Sequence, residues 1–419
     1  MSHPSTVSGL LTDVRQVGRD ARRGGYSRFT YSDADLELRE WFVAEASRRS
    51  LDVDVDRNGA IWAWRPGPGG SLEDAVVTGS HVDSVPGGGE FDGPLGIASA
   101  LVAVDHLDAS GARLDRPLAV VLFPEEEGAR FGQACLGSQL MTGAFDPVAA
   151  LDLRDVDGVS LAEALRRGGI DPTRLGRDDQ ALSRIGAFVE LHVEQGRGLI
   201  DLGQPVAIAS SIIGHGLWRL TVSGEGNHAG ATAMDHRRDP LVAAAAVIAL
   251  VRDAAREVPG ARATVGRVQP IPGGTNVIAS RVDVWVDVRH DDDQVARSLV
   301  STIFDRARRA AALEGCDVTL TEQSYGGSVD FDPTLRDRLA AVLPEAPILR
   351  SGAGHDAGVL ADVVPTAMLF TRNPTGISHS PEEQIEEADA ESGAAALADV
   401  LRDLLTLDEA PPASTPGRP

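Results

Sequence analysis

Apolar positions along this chain fall into two textures. In the outer parts, short continuous apolar runs read as strands buried on both faces. They are AVVTGS from Ala75, LAVVLF from Leu118, AFVELHV from Ala187 and VVPTAMLFT from Val363. Helical periodicity separates them. One amphipathic helix is expected before about Gly25, and a second capped by Ser32 or Asp33 and running through Leu38, Trp41, Phe42 and Ala46. Another starts near Pro94, and a last one covers Asp389 to Leu405. Leu51 to Trp64 reads as a hairpin turning at Asn58-Gly59. A charged segment lies near Arg166 to Arg184.

From about Ser211 the texture becomes strictly alternating. Gly216–Ser223, Ala263–Val268, Arg281–Arg289 and Asp317–Glu322 read as strands. Asp239-Pro240 opens one helix between them, and Asp291 is expected to cap another that ends near Leu313. The order β-α-β-β-α-β is that of a ferredoxin-like unit. An α/β protein is therefore expected, with a larger discontinuous domain (1–210 and 325–419) interrupted by a compact α+β domain (211–324).

Composition narrows the function. A chain of 419 residues can bury a large core. A formal charge of -23 argues against nucleic acid and against anionic membrane surfaces, since both select basic patches. The sequence contains no lysine, so arginine carries the fixed positive charge. Cys135 and Cys316 form no CxxC pair and read as small core residues. The N-terminal stretch lacks a basic region followed by an apolar one, and the longest apolar run, Leu241–Val251, is too short to span a bilayer. A cytoplasmic protein is expected, with a Pro-rich, disordered tail from about residue 409.

The candidate chemistry sits where buried strands end. His81 follows the run at Ala75, and Asp83 and Asp92 lie on either side of the turn Pro86-Gly87-Gly88-Gly89. Glu126 and Glu127 follow the run at Leu118, His192 closes the run at Ala187, and His379 follows the run at Val363. Ligands bind at the carboxyl ends of strands in open α/β sheets. A lone histidine there is more often structural than a ligand, and three consecutive glutamates are usually a solvated loop. Three histidines at strand ends beside acids reverse that weighting. His3, His106, His236 and His290 lack the context and read as surface or structural residues, and Arg289 taken alone reads equally well as the partner of a nearby Asp. Three imidazoles with several carboxylates suffice for two bridged divalent ions, and a glutamate that is not a ligand can take a proton from water. The glycine run is weak as a phosphate loop, because no GKS or GKT follows and an Asp would repel phosphate.

The segments GSHVDSVPGGGEFDGPLG, PEEEGARFG, LHVEQG, GEGNHAG, GGTNVI, DVRH, SGAGHDA and GISHSPEE occur in this order over nearly the whole chain. Together they resemble the dinuclear metallo-amidohydrolases related to aminoacylase, in the branch of allantoate amidohydrolase, N-carbamoyl-L-amino-acid hydrolase and bacterial β-ureidopropionase. The resemblance implies a mixed-sheet catalytic domain with helices on both faces, interrupted by a ferredoxin-like lid and dimerisation domain. It implies two divalent ions per chain (Zn²⁺ or Mn²⁺, with Co²⁺ admissible). His81 and His192 would hold one and Glu127 and His379 the other, with Asp92 between them. It further implies Asp83 orienting His81, Glu126 as general base, and His228 stabilising the oxyanion across a homodimer interface. Gln195, His215, Asn276 and Arg289 would contact a small ureido-carboxylate substrate, and His355 with Asp356 would line the same cleft. Arg372 is placed by its position near His379 as a further substrate contact. The sequence departs from the family at Ala231-Thr232-Ala233-Met234, where TTPM is commoner, and at His215, where a polar residue such as Gln is commoner. Allantoate is the preferred substrate and N-carbamoyl-L-amino acids come next. An N-acyl-amino-acid deacylase or exopeptidase, or a non-catalytic protein of the same fold, is the more distant alternative.

Overall fold

The computed structural model describes residues 5–111 and 114–406. The proposed disordered tail and His3 lie outside the described residues. The strands in chain order are β1 (Asp52–Val55), β2 (Ile61–Arg65), β3 (Ala75–Ser80), β4 (Leu118–Leu122), β5 (Ile185–Val193) and β6 (Val206–Ile212). They continue with β7 (Gly214–Ser223), β8 (Asn227–His228), β9 (Arg262–Ile271), β10 (Val277–Ile278), β11 (Arg281–His290) and β12 (Asp317–Gly326). The last are β13 (Val329–Asp330), β14 (Ile348–Ser351) and β15 (Thr366–Thr371). The chain divides into two compact units, residues 1–210 with 330–419, and residues 211–329.

The first unit is built on a mixed sheet ordered β1-β2-β4-β3-β5-β15-β6-β13, with β14 added to β6. Its four central strands, β4, β3, β5 and β15, are mutually parallel. Parallel strands are covered on both faces, and those of β3, β4 and β15 are buried at every position. Because these four strands run the same way, whatever follows each one emerges on the same rim. The antiparallel hairpin β1–β2 closes one side, and its turn uses Gly59 at φ +88°. The helix Pro94–Ser110 is buried on nearly every face and packs against the helix Glu387–Leu405. It begins at Gly93, φ +84°, where an added Cβ would sit 2.5 Å from the His81 ring. Only glycine lets this helix start against that imidazole.

The second unit has the order β-α-β-β-α-β and a sheet ordered β12-β7-β11-β9, antiparallel throughout. Trp218, Leu220, Val222, Val282, Val284, Val286 and Val288 pack on one face against helices Pro240–Arg256 and Asp293–Leu313. Strict alternation follows from this one-sided burial. A separate two-stranded arm, β8 with β10, pairs His228 with Val277. So short an element leaves no periodic trace in the sequence.

Two expectations fail in detail. The first helix covers only Val7–Asp13 rather than reaching Gly25. Beyond it Gly18 (φ +73°) turns the chain, and the buried Arg28 guanidinium donates to the carbonyls of Val14 and Val17. Asp292, not Asp291, caps the long helix, its carboxylate accepting from the amides of Gln294 and Val295. Among the described residues no helix is long and apolar enough to cross a membrane.

Candidate metal centre

Local geometry on the rim decides which side chains face inward. Glu125 has φ +56°, and its carboxylate turns back to accept from the amides of Arg130 and Phe131 at 3.1 and 2.7 Å. It thus closes its own loop. Glu126 and Glu127 are held by Asp83, whose two oxygens accept from their amides at 3.2 Å each. Asp83 also accepts a hydrogen bond from His81 Nδ1 at its carbonyl, 3.1 Å away, with a carboxylate oxygen 3.5 Å from the same nitrogen. One residue therefore fixes both the imidazole and the glutamates. His192 Nδ1 lies 3.0 Å from the Val193 carbonyl. Donation from Nδ1 leaves Nε2 of each ring free to face the centre.

Those Nε2 atoms converge on Asp92. Its Oδ1 lies 3.2 Å from His192 Nε2 and 3.6 Å from His81 Nε2, and the two nitrogens are 3.5 Å apart. Its Oδ2 lies 3.3 Å from His379 Nε2, which is also 3.3 Å from Glu127 Oε2. Apart from the His192 contact, which is at the long end, these spacings are longer than good N–H···O bonds of about 2.7–3.2 Å. Bonds of about 2.0–2.1 Å in a tetrahedral site place ligand atoms roughly 3.3–3.4 Å apart. The groups are thus spaced to share cations rather than to bond one another, and imidazole with carboxylate suits Zn²⁺ or Mn²⁺. Glu126 Oε2 stands 3.6 Å from His81 Nε2, and its Oε1 faces the Cys135 thiol at 3.6 Å. Cys135 is buried as expected, but against this glutamate rather than in an apolar core.

Charge in the cluster follows from burial and crowding. Burial pushes Glu126 well above the usual carboxylate range, and Asp356, Glu127 and Asp92 push it further, against His81. Burial, then Asp92, lifts Glu127 to about 7. Burial would raise Asp92, but the facing imidazoles of His192, His379 and His81 hold it well below its ordinary value. His379 rises to about 9, first through its bond to Asp92.

His355 lies tilted against His192 with ring centroids 4.5 Å apart, and its Nε2 meets Ser351 Oγ at 3.1 Å. Asp356 is buried and bonded to Ser138. Gln195 Nε2 donates to Asp92 Oδ2 at 2.9 Å and lies 3.2 Å from His379 Nε2, while its Oε1 is buried without a partner among the described residues. Four other candidates lie in the second unit, in two pairs. His228 and Asn276 meet on the exposed β8–β10 arm, where the Asn276 carbonyl accepts from the Ala229 amide at 3.0 Å. The amides of Gly230 and Ala231 both donate to His228 Nδ1 at 3.1 Å, which places the ring proton on Nε2. His215 and Arg289 are cross-strand neighbours, and Asp287 grips Arg289 through Nε and Nη2 at 2.9 Å each.

Arg372 has a different task from the substrate contact expected of it. Its guanidinium is bidentate on buried Asp389 at 2.8 and 3.0 Å, tying β15 to the first turn of the last helix. Sequence reasoning missed Ser378, Glu383 and Glu190. Ser378 and Glu383 flank His379 in its own motif, so proximity was the signal. Glu190 stands two residues before His192 and accepts from Ser80 Oγ and the Ala357 amide at 3.1 and 3.0 Å.

A mixed α/β sheet that gathers imidazoles and carboxylates on the carboxyl rim of its parallel strands defines a class, the α/β proteins with a candidate metal centre. The chain belongs to peptidase family M20/M25/M40, whose profile matches residues 77–403. It is 35% identical over 391 residues to an N-carbamoyl-L-amino acid amidohydrolase of Geobacillus stearothermophilus, covering 92% of this chain and 95% of that one. It is 32% identical over 411 residues to an allantoate amidohydrolase of Bacillus subtilis, covering 96% and 98%. A crystal structure of an amidase of the hydantoinase/carbamoylase family from Burkholderia vietnamiensis superposes with a TM-score of 0.85 at 33% identity, covering 95% and 96%. The protein is accordingly a hydrolase of C–N bonds.

Proposed function

We propose that the protein is a dinuclear metal-dependent amidohydrolase that cleaves the ureido C–N bond of a small carboxylate-bearing substrate. The observation that carries this reading is the splayed contact of Asp92, with one oxygen facing His81 and His192 and the other facing His379 beside Glu127. One carboxylate serving two ligand sets is what a bridged pair of ions needs. Two divalent ions held by His81, His192, Asp92, Glu127 and His379 would supply polarisation of a carbonyl and acidification of water. Glu126 serves as general base, taking a proton from the attacking water and delivering it to the leaving nitrogen. Asp83 keeps Glu126 and His81 in register during the transfer. His228 presents Nε2–H to the developing oxyanion, and Arg289 with Asn276 holds the substrate carboxylate. Gln195 and His355 line the cleft at the metal side, and His215 supports Arg289.

Residues 211–329 act in this reading as lid and dimerisation domain. The helix Pro240–Arg256 supports it, since Leu241 and Val242 are exposed and Ala245, Ala246 and Ala249 extend the same outward apolar stripe. A second copy would cover that stripe. The sequence reading prefers allantoate, whereas a 35%-identical relative acts on N-carbamoyl-L-amino acids, so the shared ureido-carboxylate chemistry is the substrate class we propose. Turnover after reconstitution with Mn²⁺ or Zn²⁺ tests it, read as ammonia release from allantoate and N-carbamoyl-L-amino acids and as liberated amino acid from N-acetyl-amino acids and dipeptides. Turnover is expected on the ureido compounds, and turnover only on acyl or peptide substrates contradicts the reading.

A further inference from the structure

Glu383 is a buried carboxylate on the loop that carries His379, four residues beyond it, and no step above uses it. Its Oε1 accepts from the amides of Phe91 and Asp92 at 2.9 and 3.0 Å, and its Oε2 accepts from Ser378 Oγ at 2.9 Å. Ser378 Oγ also lies 3.2 Å from Asp92 Oδ2, and Gln195 Nε2 reaches the same hydroxyl at 3.2 Å. Two loops 291 residues apart in sequence are thereby joined through one carboxylate. Space has been kept for it. A Cβ at Gly89 would sit 2.2 Å from Glu383 Oε1 and 2.6 Å from its Cβ, so any side chain there would push Glu383 out.

We propose that Glu383 is a positioning residue that holds the Asp92 loop and the His379 loop at the spacing needed by the ion shared by Asp92, Glu127 and His379. This rests on the dinuclear reading above. The first oxygen pins the backbone of Asp92 itself, and the second aligns Ser378, the neighbour of His379. The other ion shares Asp92 but takes its remaining ligands, His81 and His192, from the end of β3 and from β5, whereas the ion at Glu127 and His379 depends on Glu383 through both Asp92 and the Ser378–His379 loop. Loss of the strut therefore acts mainly on that ion. Groups that orient metal ligands in this way typically change metal affinity by about 10–100-fold when removed.

The test is calorimetric titration of the metal-free protein with Mn²⁺, with metal content counted by elemental analysis after gel filtration. Wild type should bind two equivalents. Glu383→Ala and Glu383→Asp, the latter keeping charge but shortened by one methylene, should keep one equivalent and weaken the other by about 10–100-fold. Glu383→Gln keeps the reach and an acceptor for both amides, and its amide can donate to Ser378, so both equivalents should stay near wild type. Equal weakening of both equivalents, no weakening in the Ala and Asp variants, or a Gln variant as weak as Ala each overturns the proposal. Should Glu383→Ala fail to fold, the Asp and Gln pair still decides between reach and charge. A wild type binding two equivalents with unaffected variants removes only the strut. A wild type binding fewer than two removes the dinuclear reading and the strut with it.

Discussion

The two units treat their polar residues in opposite ways. In the first, imidazoles and carboxylates are largely buried, oriented by backbone groups, and aimed at one another across 3.2–3.6 Å. In the second, His228 and Asn276 sit exposed on a two-stranded arm, and Arg289 is engaged by Asp287. The first unit has the features of a preformed centre that depends on cations to offset crowded charge. The second has the features of an adaptable surface whose residues are oriented locally. Chemistry should therefore fail when the first unit is altered, and binding when the second is.

The largest expected effect comes from Glu126→Gln. It should retain two metal equivalents yet lose about 10²–10⁴-fold in kcat, the usual range for a positioned proton-transfer group. Retained kcat would place the base elsewhere. Arg289→Ala should keep metal and most of kcat, with KM raised about 10–100-fold, as expected for losing a charge-assisted bond of about 1.5–3 kcal/mol. An unchanged KM for every ureido substrate would erase the contrast between the units.

Acidity sharpens the same contrast. Glu127 and Glu383 at about 7, Glu125 at about 8 and His379 at about 9 are all raised in the folded metal-free state. Groups raised on folding contribute stability at low pH that is lost as pH climbs through their folded values. Metal-free protein should thus melt at progressively lower temperature from about pH 5 to about pH 9. Metal binding must displace those protons, so Mn²⁺ affinity should rise over the same range. Thermal melts with and without chelator, and titrations at several pH values, check both signs. The smallest effect belongs to Arg372→Ala, which should leave KM untouched and cost about 1.5–3 kcal/mol by stranding buried Asp389. A raised KM would restore its role in substrate binding.

Much of the first unit was legible because parallel strands buried on both faces leave continuous apolar runs. The alternating strands from Gly216 to Glu322 were legible for the opposite reason, burial on one face. What escaped depends on backbone angles and atom-level facing. Nothing in Glu125-Glu126-Glu127 says that the first turns away, since a left-handed φ at Glu125 decides it. Periodicity before Gly25 continues past Asp13, yet Gly18 and the buried Arg28 end the helix early. Arg372 reads as a free cation near His379 until Asp389, seventeen residues later, is folded against it. Glu383 was visible only as one of two acids after a histidine.

The most direct measurement is anomalous diffraction from crystals of the wild-type protein soaked in Mn²⁺ or Zn²⁺. Two peaks should lie on either side of the Asp92 carboxylate, one against His81 and His192 and one against Glu127 and His379. A single peak, or peaks away from Asp92, would contradict the account.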